Sequence, residues 1–142
     1  MGGLELNQGY QIQGMLKMEK KAVQVDFLSK AGPYSHIVEA GEFCFLSGML
    51  PVDPGKNIRE MDDIKKATGV CLDNIKRLLE HTGSNLGKVV KVTVFLREMS
   101  YFNDMNDVYK AYFPENPPAR TCVAVKTIPG GFPIEIEVVA LR

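Results

Sequence analysis

With 142 residues, 45% of them hydrophobic, the chain is sized for one domain around one buried core. Its 17 basic and 17 acidic residues cancel to a formal net charge of zero, which removes the electrostatic footprint of a nucleic-acid or membrane-surface binder. The three cysteines, Cys44, Cys71 and Cys122, are odd in number and widely spaced, so neither a disulfide framework nor a zinc site is indicated, and a reducing, cytoplasmic setting is expected.

Residues 1–21 lack an apolar signal core and read as an N-terminal extension, leaving residues 22–142 as the single domain. No apolar run approaches the length of a membrane span. Ala22 to Phe27 alternates loosely and predicts a first strand. Lys30 to Ser35 is a loop, because Gly32-Pro33 is strong punctuation. Ile37 to Glu39 predicts a second strand. Glu42 to Ser47, nearly all apolar, predicts a third and central one that stops at Gly48. Pro51 to Asn57 is a turn-rich loop.

Asp62 or Asp63 can cap a helix that runs to about Thr82. Ile64, Ala67, Cys71, Ile75, Leu78 and Leu79 recur at helical spacing on one face, so Cys71 is expected as a small core residue and not a reactive thiol. Gly83 is the expected stop. Val89 to Arg97 is the clearest strand, with Val90, Val92, Val94 and Leu96 expected on one face. Ser100 can cap a second helix through Tyr112 with Phe102, Met105, Val108, Tyr109 and Tyr112 inward. Arg120 to Thr127 and Ile134 to Leu141 are the last strands, joined through a Gly-rich turn at Pro129 to Pro133.

The order β-β-β-α-β-α-β-β predicts an α+β layer fold: a mixed sheet of about six strands with two helices on one face. Apolar residues on both faces of the last strands point to burial against another copy of the chain.

Much chemistry is excluded by what is missing. His36 and His81 stand in no nucleophile pattern, and His81, beside a helix C-terminus, reads as structural. There is no His-Glu-x-x-His, no aspartate cluster and no phosphate-cradling Gly-rich loop, so no metal or cofactor is expected. What remains are groups at strand ends. Pro117 and Pro118 cannot lie within a sheet centre, so Arg120 sits at a strand mouth, where its planar guanidinium suits a carboxylate or phosphate. By period two it shares a face with Cys122, Ala124 and Lys126. Ser47-Gly48 closes another strand, where a glycine lets a ligand approach the backbone. Glu135 interrupts an apolar strand. A simple hairpin of the last two strands would leave Arg120 and Glu135 about 20 Å apart, so joint action needs a subunit boundary or another strand order.

Ala31 to Ser35, Leu46 to Pro54, Asp73 to Ile75, Val90 to Phe95, Pro118 to Val123 and Ile134 to Ala140, taken together, closely resemble the YjgF/RidA family over roughly Val25 to Leu141. The resemblance implies a chorismate-mutase-like α+β fold, a homotrimer with ligand clefts between subunits, and no cofactor. Its RidA branch implies hydrolytic deamination of reactive 2-imino and enamine acids to 2-oxo acids and ammonia. Carried over by position, Arg120 matches the arginine that grips the substrate carboxylate, and Glu135 the acid that positions water or shuttles a proton. Gly48, after Ser47, and Cys122 match backbone donors to the ligand, Tyr34 a cleft-lining ring, and Asn106 a recurrent asparagine near the cleft. The chain departs from the family pattern at Leu28-Ser29-Lys30, where a proline-containing lead is usual, and at Met49-Leu50, where a glutamine commonly comes first. The other readings are a non-enzymatic 2-oxo acid binding or regulatory protein using the same cleft, and an endoribonuclease or translation inhibitor. The zero net charge and the lack of a basic-aromatic stripe count against the nuclease.

Overall fold

The computed structural model describes residues 19–142, so the expected extension lies outside the described residues except for its last three. The elements are β1 (Lys21–Val23), β2 (Ile37–Ala40), β3 (Phe43–Leu46), β4 (Val52–Asp53), β5 (Ile58–Arg59), α1 (Ile64–His81), β6 (Val89–Leu96), α2 (Phe102–Tyr112), β7 (Ala119–Ala124) and β8 (Ile134–Leu141). Six strands form one mixed sheet in the order β1-β2-β3-β8-β6-β7. Its pairs are antiparallel except β6 with β7, which the α2 crossover makes parallel. Both helices cover the same face, as the element order predicts.

Helix α1 starts where Asp63 accepts a hydrogen bond from the Lys66 N–H at 3.1 Å. Gly83 follows it at φ +85°, a conformation that costs glycine nothing. The stripe of Ala67, Cys71, Ile75, Leu78 and Leu79 is fully buried in one core with Val92, Val94, Ile134 and Ile136. Each leucine or isoleucine side chain taken from water there contributes about 1.5–3 kcal/mol. Cys71 is a core residue, as the spacing predicts. His81 ends α1 with Nε2 2.9 Å from the Gln24 carbonyl oxygen, in keeping with a structural role.

Several boundaries differ from the sequence reading. The first strand is only Lys21–Val23. The loop at Pro51 to Asn57 contains the two-residue strands of a small separate hairpin, β4 with β5. Ser100 does not cap α2. It lies in the 3-10 turn Met99–Tyr101 with its hydroxyl on Glu98 Oε2 at 3.3 Å. Tyr101 is already helical there, so the extended backbone of an N-cap is missing. Val90 leaves the apolar face because a register shift between Val89 and Lys91 turns it outward.

For the last two strands the structure has the other strand order that the sequence reading left open. They are no hairpin, because β6 lies between β7 and β8. β3 is central in the sheet, as expected, yet only its helix side is covered. Phe43 and Phe45 remain 41% and 44% exposed on the other face, which also carries Leu141, the cross-strand neighbour of Phe43, and, at the far edge, the exposed Val123.

Candidate functional site

Arg120 and its neighbours are set by the edge strand β7 and the helix before it. The Val125 N–H donates to the Leu96 carbonyl at 2.9 Å. By strand alternation, Thr121 and Val123 also turn their amides toward β6, whereas Arg120 and Cys122 turn theirs toward the open edge. The Arg120 side chain points to the helix face. Its Nη1 donates to Asn106 Oδ1 at 2.7 Å, and its guanidinium carbon lies 4.6 Å from the Tyr109 ring centre and 5.7 Å from that of Phe102. Two rings and an amide thus fix the cation. Among the described residues no carboxylate lies within ion-pair distance of it. A pinned guanidinium without an acid partner has the chemistry to receive an anion on its open fork. Cys122 is next on the same face. Burial pushes its thiol up in pKa, against the opposing pull of Arg120, so the side chain is a thiol at neutral pH and no ready nucleophile.

The second group lies where β3 runs into the Ser47–Leu50 segment. Met49 and Ile136 exchange backbone hydrogen bonds of 2.7 and 3.1 Å. That bridge lays Gly48 against Glu135. A Cβ on Gly48 would come within 2.8 Å of the Glu135 carboxyl carbon, closer than real Cβ atoms approach. The Gly48 N–H takes no backbone or side-chain partner among the described residues. Glu135 is partly buried, and burial, then the like charge of Glu137, holds its carboxyl above the ordinary glutamate range. The Ser47 hydroxyl donates to the Ser35 carbonyl at 2.7 Å and the Ser47 N–H to the His36 carbonyl at 3.0 Å. These bonds anchor the loop of Tyr34, whose ring meets His36 edge-on at 5.7 Å. The Tyr34 hydroxyl accepts from the Ala31 N–H at 3.2 Å.

The structure therefore gathers Arg120, Asn106 and Cys122 in one group and Tyr34, Ser47, Gly48 and Glu135 in another. It does not bring the two together. Arg120 aligns through Val92 with Val138, three residues from Glu135, and β6 intervenes. Their Cα atoms are roughly 14 Å apart from strand spacings alone, with the side chains on opposite faces.

Two partners were missing from the sequence reading of the site. Phe102 and Tyr109 were expected only as inward residues, yet they form the platform of Arg120. Their spacing with Asn106, four and three residues, is the signal that puts all three on one helix face. Cys71 lies under the second group and donates from Sγ to the Met49 carbonyl at 3.3 Å. Burial drives its thiol far up. Among the described residues no group of three or more histidine, cysteine or acidic side chains could hold a metal, and no helix is long and apolar enough to cross a membrane.

Gly48→Ala tests the close approach. The methyl group must displace the Glu135 carboxylate, the movable end of a flexible side chain, so a small fall in Tm is expected. Gly69→Ala, in α1 with only Tyr112 Oη near at 3.7 Å, should leave Tm unchanged or raise it. A Tm raised in Gly48→Ala, as for a glycine with open space at its Cβ, would refute the contact.

The model of the Endoribonuclease L-PSP family matches residues 25–142. RutC family protein PH0854 of Pyrococcus horikoshii is 45% identical over 111 residues, which are 78% of this chain and 88% of that one. The crystal structure of RidA from the Antarctic bacterium Psychrobacter sp. PAMC 21119 superposes with a TM-score of 0.80 at 32% identity, covering 86% of this chain and 99% of that one. The crystal structure of E. coli TdcF with bound serine gives a TM-score of 0.80 at 31% identity, covering 86% and 98%.

Proposed function

This chain belongs to the Endoribonuclease L-PSP family, also called YjgF/RidA, and from that premise we propose that it hydrolyses reactive 2-imino and enamine acids, such as 2-aminoacrylate, to 2-oxo acids and ammonia. The observation that carries the reading is the Arg120 guanidinium, held by Asn106 and Tyr109 with no acid partner among the described residues. A carboxylate is the missing half of that pair. The serine bound to TdcF is a small amino acid of comparable size, which supports a ligand of this class.

Arg120 binds the substrate carboxylate, and the outward N–H of Cys122 adds a donor at the strand edge. The enamine first takes a proton at its terminal carbon and becomes the iminium. Its C2 is already electrophilic, so no metal or cofactor is required. Glu135 holds a water and takes its proton as oxygen bonds to C2. The same carboxyl returns that proton to nitrogen and takes the hydroxyl proton as the C–N bond breaks, so ammonia leaves and the carbonyl forms. Solvent takes this last proton and supplies the one first added to the enamine. Gly48 and Tyr34 line the path of the ligand beside Glu135. The catalytic contribution is orientation and proton transfer.

The two residue groups lie on opposite faces of one sheet, so the proposed cleft takes Arg120 from one copy and Glu135 from the next. The open β7 edge and the exposed Phe43, Phe45, Val123 and Leu141 are the surfaces that a homotrimer would cover. The free cysteines agree with the reducing cytoplasm. The endoribonuclease of the family's name is the weaker reading here. Net charge is zero, and the open face presents Glu135 and Glu137 beside Lys91.

The test is release of 2-oxo acid when a dehydratase generates 2-aminoacrylate in the presence of the protein. Acceleration over the spontaneous rate is expected, and its absence would remove the proposal. Binding of 2-oxo acids without turnover would make the chain a ligand-binding protein instead.

A further inference from the structure

A cavity of about 450 Å³ adjoins the second residue group and shares only Tyr34 and Gly48 with it. It lies between the loop of residues 28–36, the β4–β5 hairpin, α1 and the turn at Pro129 to Phe132. Arg120, Asn106, Cys122 and Glu135 do not line it. Tyr34 and Gly48 do, but the Cβ side of Gly48 is turned to Glu135. Its walls include Leu28, Leu50, Ile58 and Phe132.

Two polar side chains in this lining are buried, and one of them keeps an unsatisfied oxygen. His36 is 5% exposed and Asn74 is 1% exposed. Asn74 Oδ1 has no hydrogen-bond partner among the described residues, and the backbone of Leu28 is the one polar group that meets the His36 ring there. The Asn74 amide nitrogen is committed to the Val52 carbonyl at 2.6 Å, which leaves its oxygen as the free acceptor. Native cores seldom leave such an acceptor unsatisfied. Burial favours the neutral form of His36, so its ring offers one donor and one acceptor. At the rim, the exposed Arg59 guanidinium lies 4.6 Å over the Phe132 ring. Among the described residues it has no carboxylate within ion-pair distance. Lys30 adds a second cation to the lining.

An anion-attracting rim, an apolar body and an unsatisfied acceptor in the lining describe one kind of ligand. We propose that this cavity binds amphipathic monocarboxylates whose far end carries a hydroxyl or similar donor, with Arg59 at the carboxylate and Asn74 and His36 at the donor. The hydroxyaryl alkanoates have this pattern. The site does not depend on Arg120, so it stands or falls apart from the deaminase reading.

Calorimetric titration of the full chain with para-hydroxyphenylpropanoate, and with phenylpropanoate as the analogue lacking the donor, tests it. The hydroxylated acid is expected to bind about tenfold more tightly, because only it satisfies Asn74. Arg59→Gln, a surface change, should weaken its binding about five- to tenfold. Arg120→Ala should leave its affinity unchanged. Equal affinities for the two acids, which would mean that water alone satisfies the buried oxygen, overturn the proposal. So does unaltered binding in Arg59→Gln, or loss of binding in Arg120→Ala, which would move the ligand to the other cleft. The lack of saturable binding of either acid in the millimolar range overturns it as well.

Discussion

Arg120→Ala is expected to lower kcat/KM for 2-aminoacrylate hydrolysis by about a hundredfold to a thousandfold, the scale of losing a pre-organised charge contact to the reacting molecule. The effect should be large because no second cation replaces it. The nearest groups are Asn106, Tyr109 and Phe102, and none carries positive charge. Arg120→Lys should recover only part of the loss. An ammonium is a point charge and cannot meet two carboxylate oxygens with a planar fork. Folding is the necessary control. Truncation takes one charge-assisted bond from Asn106 and a cation from the Tyr109 face, so a Tm lower by a few degrees is expected and does not by itself explain lost activity. Full activity in Arg120→Ala would show that the substrate carboxylate lies elsewhere.

Glu135→Gln should cost about a hundredfold to ten-thousandfold in kcat, because the amide cannot take a proton from water. KM should move little, since the carboxylate contact belongs to Arg120. The parent enzyme adds a pH signature. Glu135 works ionised when it accepts a proton, so activity falls as pH drops through its folded pKa. Burial and Glu137 hold that pKa above the usual glutamate range, and the acid limb of the rate profile should sit correspondingly high. Glu137→Gln removes the like charge, leaves burial in place and should shift the limb to lower pH. A limb that stays put or rises in Glu137→Gln would mean that another group titrates. Retained turnover in Glu135→Gln would remove Glu135 from the chemistry.

The elements themselves were legible because their periods are clean. Val92, Val94 and Leu96 in β6, and Ile134, Ile136 and Val138 in β8, alternate as half-buried strands must. The α1 stripe, from Ile64 to Leu79, recurs at helical spacing over about four turns. What could not be read was long-range. Insertion of β6 between β7 and β8 is a pairing choice among distant segments, and neither strand's own pattern records it. The β4–β5 hairpin was missed because two-residue strands leave no period to detect. Asn106 beside Arg120 came from the family resemblance alone, since contact between a helix and a strand depends on the crossover that joins them. Likewise Gly48 read as a strand stop. Its closeness to Glu135 follows from the isolated bridge of Met49 with Ile136, outside any named strand.

The division of Arg120 and Glu135 between two faces of one sheet has a genetic corollary. In the proposed assembly each chain carries half of two different centres and the whole of none. Two dead alleles, Arg120→Ala and Glu135→Gln, should therefore complement each other when co-assembled. Random mixing in equal amounts leaves about a quarter of the clefts intact, since each needs the sound residue from both contributors. An enzyme with all its chemistry inside one chain would gain nothing from the mixture.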